Sequence, residues 1–261
     1  TAAVGGADPR FKLEKVNAYE LGIKSKLFDR KLTANLAVFH QDMKDFQVLE
    51  FTGVQFTTFN VEKAKSTGFE LEMAAQLSRE FSANAAVSYT DARYPKDCGG
   101  ASPAASVALL CGQSFTNAPD WVLVGGLDWN RDLGSNMTLG RNASARYESD
   151  RRTSTQALMA VFPGTGTLGS DLSLVKAPDA IQKGNAKVNL RATLGAQNGA
   201  WAIDFWGNNI FDVRTVGVTA NAPLRGLPVL PGPVNAGGIG LARVTFPQEP
   251  RTYGVNVRTR F

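Results

Sequence analysis

Three small groups of residues in this 261-residue chain carry side chains able to do chemistry. His40 stands beside Gln41 and Asp42, and an imidazole next to a carboxylate can serve as a general base. Glu70 and Glu72 are two positions apart; on a strand both point to one side about 7 Å apart. That spacing suits a calcium ion, an acid–base pair, or two solvated wall charges. Cys98 and Cys111 are the two cysteines, separated by small residues and Pro103. A pair placed so closely favours a disulfide that closes the loop in an oxidising compartment.

None of these groups completes an active site. No G-x-S-x-G supplies a nucleophile for His40, and one histidine with two cysteines cannot build a tetrahedral zinc site. No phosphate loop or dinucleotide fingerprint occurs. The expectation is therefore a protein that is not an enzyme, with no catalytic residue, no metal site and no cofactor. The formal charge of +5 is modest and its basic residues are scattered, whereas a nucleic-acid protein gathers them into a patch. Nucleic acid is not an expected partner.

The elements that must position these residues are strands. Residues 69–77 read FELEMAAQL, with Phe69, Leu71, Met73, Ala75 and Leu77 on one side and Glu70, Glu72 and Gln76 on the other. Residues 81–90 repeat the alternation, with Phe81, Ala83, Ala85, Val87 and Tyr89 opposite Ser82, Asn84, Ser88 and Thr90. Period two with one apolar and one wet side is the mark of a β-strand. It recurs over 17–28, 32–48, 121–130, 137–149, 187–196, 201–211 and 251–261, giving about nine strands. Asp29-Arg30, Ser78 to Glu80, Gly134 to Asn136 and Asn198-Gly199 make short turns. Longer connections, rich in Gly, Pro, Ser and Asn, are expected over 52–62, 93–119, 151–184 and 212–250. Short and long alternate, which sorts tight turns to one end and long loops to the other.

No run of ~18 apolar residues exists, so no transmembrane helix is present. A membrane barrel is not excluded, because its strands are short and half apolar. The aromatics favour one: Phe81 and Tyr89, Trp121 and Trp129, and Tyr253 and Phe261 are each eight apart on the apolar side. Eight tilted strand residues climb roughly 20 Å, close to the ~25 Å apolar band bounded by aromatic girdles. Sorted loops and paired rings predict an all-β, antiparallel, up-and-down transmembrane β-barrel. Two residues fit this badly. Arg141 falls among Met137, Leu139, Ala143 and Tyr147 on the apolar side, requiring a bulge or a site where it can snorkel. Phe39 turns to the polar side.

The stretch LEKVNAYELGIKSKLFDRKLTANLAVFHQDMKDFQV resembles a segment of TonB-dependent outer-membrane receptors. Glu14, Tyr19, Glu20, Gly22 and Lys24 match, followed by Phe39, Asp42, Asp45 and Gln47. NNIFD at 208–212 resembles the family's strand end before its last extracellular loop, and YGVNVRTRF resembles its closing strand. The resemblance implies a barrel of about 22 strands with a plugged lumen, of which residues 1–261 supply the C-terminal portion, about the last nine strands. The plug, the TonB-contacting segment, the first strands and a signal peptide are not among them.

The same resemblance implies an outer-membrane active-transport receptor of a Gram-negative bacterium. It takes up a scarce ligand (a ferric siderophore, a vitamin or a glycan) with energy from TonB. A passive porin and a barrel-embedded enzyme are the alternatives. Implied partners are outer-membrane lipid and lipopolysaccharide, the receptor's own plug and remaining strands, TonB, and the barrel-assembly machinery. Inward parity makes Glu70, Glu72, Asp128, Arg146, Lys187, Arg191, Asp204, Trp206 and Asn208 the candidate lumen and ligand residues. The closing strand, with Tyr253, Val255, Val257, Thr259 and Phe261 facing lipid, is the expected assembly signal.

Overall fold

In a computed structural model, residues 11–51, 56–96, 110–154, 158–161, 173–176, 180–221 and 243–260 are described. The alternating segments form strands β1 (Lys15–Leu27), β2 (Leu32–Phe51), β3 (Phe56–Gln76), β4 (Phe81–Arg93), β5 (Trp121–Gly134) and β6 (Met137–Glu148). Four short pieces follow: β7 (Arg151–Arg152), β8 (Leu158–Val161), β9 (Ser173–Lys176) and β10 (Ile181–Gln182). β11 (Asn185–Ala196) and β12 (Trp201–Asn208) precede a ribbon of β13 (Val216–Asn221) and β14 (Arg243–Pro247), and β15 (Thr252–Thr259) comes last.

One nine-stranded sheet takes the order β1-β2-β3-β4-β5-β6-β11-β12-β15. Each strand is antiparallel to the next, so the sheet is an up-and-down meander with β1 and β15 at its edges. The short pieces pair among themselves as β7 with β10, β8 with β9 and β13 with β14. They sit in the long connections, all at one end of the sheet.

The turns at the other end are tight and pass through positive φ. Phe28, Asp29 and Arg30 have φ of 53°, 53° and 66°, and the Lys31 amide donates to the Phe28 carbonyl at 3.0 Å. Gly134, Ser135 and Asn136 turn with φ of 75°, 51° and 59°. Ser78 shapes the β3–β4 turn through its hydroxyl, which accepts from the Phe81 amide at 3.1 Å.

The connection expected over 52–62 is mostly strand. β2 and β3 stay paired from Leu32↔Ala75 to Phe51↔Phe56, and Asp45, at φ 52°, drops out of the pairing. The reason is composition: Phe46, Val48, Phe59 and Val61 keep the strand-forming alternation going beyond the charged residues at 62–65. The extended ribbon gathers its own small core. Val48, Val61, Tyr94 and Leu110 are buried there, with Phe46 stacked on Phe115 at a centroid distance of 4.8 Å.

Register turns parity into rows. On the apolar face Leu21, Val38, Phe69, Tyr89 and Trp121 lie in one line across five strands. The Tyr89 and Trp121 rings are 4.8 Å apart. Nearer the turns, Phe81 pairs with Trp129, their rings 6.1 Å apart. Arg141 stands directly opposite Trp129, its guanidinium carbon 4.9 Å from the ring centre. A cation–π contact, not a bulge, is how that arginine is accommodated. Phe39 on the polar face also has a partner, since it pairs with Gly68 and lies over it.

A Cβ at Gly68 would fall 2.7 Å from Phe39 Cζ and collide with the Tyr89 backbone carbonyl. Gly68→Ala is therefore expected to part β3 from β4, at an overpacking cost of about 1–3 kcal/mol. Heat-modifiable gel mobility of the full-length protein should show a lower unfolding temperature. A normal transition would mean that the two strands have room to spare.

Candidate functional site

Opposite the aromatic rows lies the polar face, and pairing distributes the nine expected residues over it. Glu70 shares a row with Ser88, Val122, Glu148 and Asn185. Glu72, Arg146 and Lys187 share the next, through Ala86 and Val124. Asp128, Asn142, Arg191 and Trp206 form a third, ending on Gly254. Asp204 lies one row nearer the turns, between Thr193 and Asn256. Asn208 pairs with Thr252 at the loop end of β12.

Two recesses draw some of these residues together. Arg146 and Lys187 line one of about 470 Å³ with Glu148, Asn185, Pro247, Gln248 and Glu249. Its wall combines two cations, two carboxylates and two amides. Lys187 Nζ donates to Gln248 Oε1 at 3.3 Å, and Arg146 reaches Glu148 at 3.5 Å. Arg191, Trp206 and Asn208 line the second, about 530 Å³, with Asn142, Ser144, Asn189, Leu190 and Asn256. Four asparagine side chains and a guanidinium can here offer donors and acceptors to an oxygen-rich molecule.

The remaining expected residues stand apart. Glu70 and Glu72 line neither recess, and no third potential metal ligand joins them among the described residues. Asp128 accepts from Asn142 Nδ2 at 2.8 Å and so orients one wall amide. Asp204 is 3% exposed. It accepts from Thr193 Oγ1 at 2.7 Å and pairs with Arg258 at 3.2 Å, which makes it a post of the wall. The Trp206 indole lies over Gly254, with Cζ2 2.6 Å from where a Cβ would sit. Its buried Nε1 has no partner among the described residues.

His40 does not reach this face. Its Nδ1 is 2.6 Å from Thr67 Oγ1, in the row just beyond the Leu21–Trp121 line on the apolar face, and its Nε2 is 3.2 Å from Asp42, one row further. Cys111 is disulfide-bonded; Cys98, like Phe261, lies outside the described residues.

Sequence reasoning missed a polar lock at the loop end. Arg151 is 5% exposed. Its guanidinium donates to Glu148 Oε1 at 3.0 Å, Asn117 Oδ1 at 2.5 Å, and the Gly217 and Val216 carbonyls at 3.2 and 2.6 Å. One side chain thus ties three loops together. Beside it Thr153 Oγ1 and Thr219 Oγ1 meet at 3.1 Å, both buried. Arg152 donates to Gln113 Oε1 at 2.9 Å, and burial lowers its pKa against the opposing pull of Tyr94. Burial pushes the Tyr94 phenol up to about 12 although Arg152 acts in the other direction. The adjacent arginines 151 and 152 just past a strand were the available signal. Parity could not reveal it because these contacts come from segments far apart in sequence.

This arrangement presents cations, carboxylates and amides that can bind. The family model described as "TonB dependent receptor-like, beta-barrel" matches residues 1–210. The metal-pseudopaline receptor CntO of Pseudomonas aeruginosa is 34% identical over 98 residues, covering 36% of this chain and 13% of the relative. The ferric yersiniabactin uptake receptor FyuA of Yersinia pestis superposes with a TM-score of 0.68 at 18% identity, over 96% of this chain and 30% of that one. The copper transporter OprC gives a TM-score of 0.60 at 17% identity, over 97% and 32%. These relatives are receptors and a transporter, and the chain spans less than a third of each.

Arg151→Gln removes the donors from the Val216 and Gly217 carbonyls and leaves Glu148 without its buried partner. Breaking such a pair costs about 3–5 kcal/mol. Amide exchange over 215–219 in the full-length protein should therefore rise at least tenfold, on the order of 1.4 kcal/mol, while β3 and β4 stay protected. Unchanged protection over 215–219 would remove the lock.

Proposed function

The chain belongs to the TonB-dependent receptor-like β-barrel family, and from that premise we propose that it forms part of the ligand vestibule of an outer-membrane uptake receptor. The apolar face with its aromatic rows meets lipid, and the polar face lines the lumen. The loop end, where Arg151 gathers three connections, is the extracellular mouth. In this reading the plug, the TonB contact and the remaining barrel strands lie outside residues 1–261. The β15 row of Tyr253, Val255, Val257 and Thr259, all exposed on the outer side, serves with Phe261 as the segment read by the assembly machinery.

The observation that carries the ligand class is the pair of recesses on the inner wall, where Arg146 and Lys187 stand with two amides and two carboxylates and Arg191 stands among four asparagines with no carboxylate in the lining. Cationic and amide donors together suit an oxygen-rich, anionic small molecule, such as a metal held by a carboxylate- or hydroxamate-bearing chelator. Energy from TonB moves the plug and releases that molecule inward. Asp204 and Arg258 stiffen the wall near the turns without touching it.

The test uses the complete receptor in its own bacterium and isotopically labelled ferric siderophores. Lys187→Glu with Arg191→Glu should lower cell-surface binding at least tenfold with the membrane amount unchanged. Deleting TonB should abolish accumulation while binding persists. Accumulation that continues without TonB would identify a passive channel, and full binding by the double variant would move the vestibule elsewhere.

A further inference from the structure

The outward wall is not smooth. Ala143 on β6, Ala192 on β11 and Gly207 on β12 face outward, with Leu190 in the row between Ala143 and Gly207. Larger side chains flank them, Leu127 and Trp129 on β5 and Phe205 and Tyr253 on β12 and β15. Between these banks runs an apolar trough of about 1060 Å³, from Ile210 at the loop end to Arg131 and Arg141 at the turn end. Along β11 its lining is Leu190 to Ala192.

The turn end of the trough carries charge where apolar side chains would serve a plain lipid wall. Arg141 stands in the row Trp129, Arg141, Ala192, Phe205, Val255. Its guanidinium packs on the Trp129 ring, and Arg131 stands one row nearer the turns opposite Leu139. Neither arginine has an ion pair among the described residues. Glu80 is the carboxylate in the lining, and it already accepts from Trp129 Nε1 at 2.9 Å. An unpaired guanidinium beside an apolar trough is complementary to one kind of molecule, an amphiphile with an anionic head.

We propose that this trough is a bound-lipid site for a glycerophospholipid of the inner, turn-side leaflet. One acyl chain lies over Ala143, Ala192 and Gly207, and the phosphodiester meets Arg141 and Arg131. The guanidinium fork matches two phosphate oxygens, while Trp129 fixes the plane of Arg141 from behind. Small residues and Leu190 supply the floor, so the chain gains contact with banks on both sides where a flat wall would offer one surface. The site rests on the reading that the apolar face lies in a bilayer.

Native mass spectrometry of the complete receptor in detergent, supplied with dioleoyl phosphatidylglycerol, tests this. The wild type should retain a phospholipid adduct. Arg141→Gln should lower its occupancy at least fivefold, and Arg141→Lys should keep part of it. Ala192→Phe, which fills the trough and leaves both arginines in place, should lower it to a similar degree. Equal adducts on the wild type and Ala192→Phe, or lipid A retained in place of phospholipid, would overturn the site. Should Arg141→Gln fail to assemble, Ala192→Phe decides alone. A wild-type receptor recovered without detergent in the soluble fraction would instead sink the bilayer reading itself.

Discussion

Everything in this structure depends on a near-continuous antiparallel hydrogen-bond ladder. A wall that stands in lipid must satisfy every backbone N–H and C=O from neighbouring strands, because no water is there to do so. β1 and β2 pair without a gap from Lys15↔Lys44 to Leu27↔Leu32, and β6 and β11 from Glu148↔Asn185 to Met137↔Ala196. Once register is fixed, the side-chain period of two sorts every residue to one face or the other. The aromatic rows and the polar recesses are two consequences of that single fact.

Glycine threatens such a ladder, since it brings no side chain to pack and weakens a strand. Two of the polar-face glycines are covered by rings from directly paired positions, Gly68 by Phe39 and Gly254 by Trp206. The large side chain of one strand fills the space left by the small residue of its neighbour, and the polar face acquires apolar patches without losing register. The pair Asp204–Arg258 works differently. Its carboxylate is buried while the arginine is largely exposed, so solvent screens the charge attraction, and the effect is to hold Thr193 and the wall around it in one arrangement.

At the loop end the backbone leaves the sheet, and side chains take over the satisfaction of polar groups. Arg151 supplies donors to two carbonyls and two side chains, drawn from two other connections and the end of β6. The Phe46, Tyr94 and Phe115 rings close the neighbouring ribbon against residues 110–116. Both clusters make the loops a shaped rim, so the recess of Arg146 and Lys187 has a wall from β14 and the residues after it, including Gln248.

Much of the sheet was legible in the sequence because period two is local: a strand needs its own residues to declare which side is wet. Turn positions such as Gly134 to Asn136 were legible because their φ values are a property of residue type. The ribbon of β2 and β3 was not, since a glycine and charged residues masked a pattern whose decisive partners lie across the hairpin. The face of each candidate residue was likewise set locally. Only the tertiary structure decided that Arg191, Trp206 and Asn208 share a recess, that Asp204 is tied down, and that Glu70 and Glu72 stand alone. It also decided the partner of Arg141 and the whole of the Arg151 lock. The sequence by itself determined an alternating antiparallel wall with an apolar and a polar side. Which polar groups meet, and which side chains end beside a trough, depended on the register between strands, and register is a relation between distant segments.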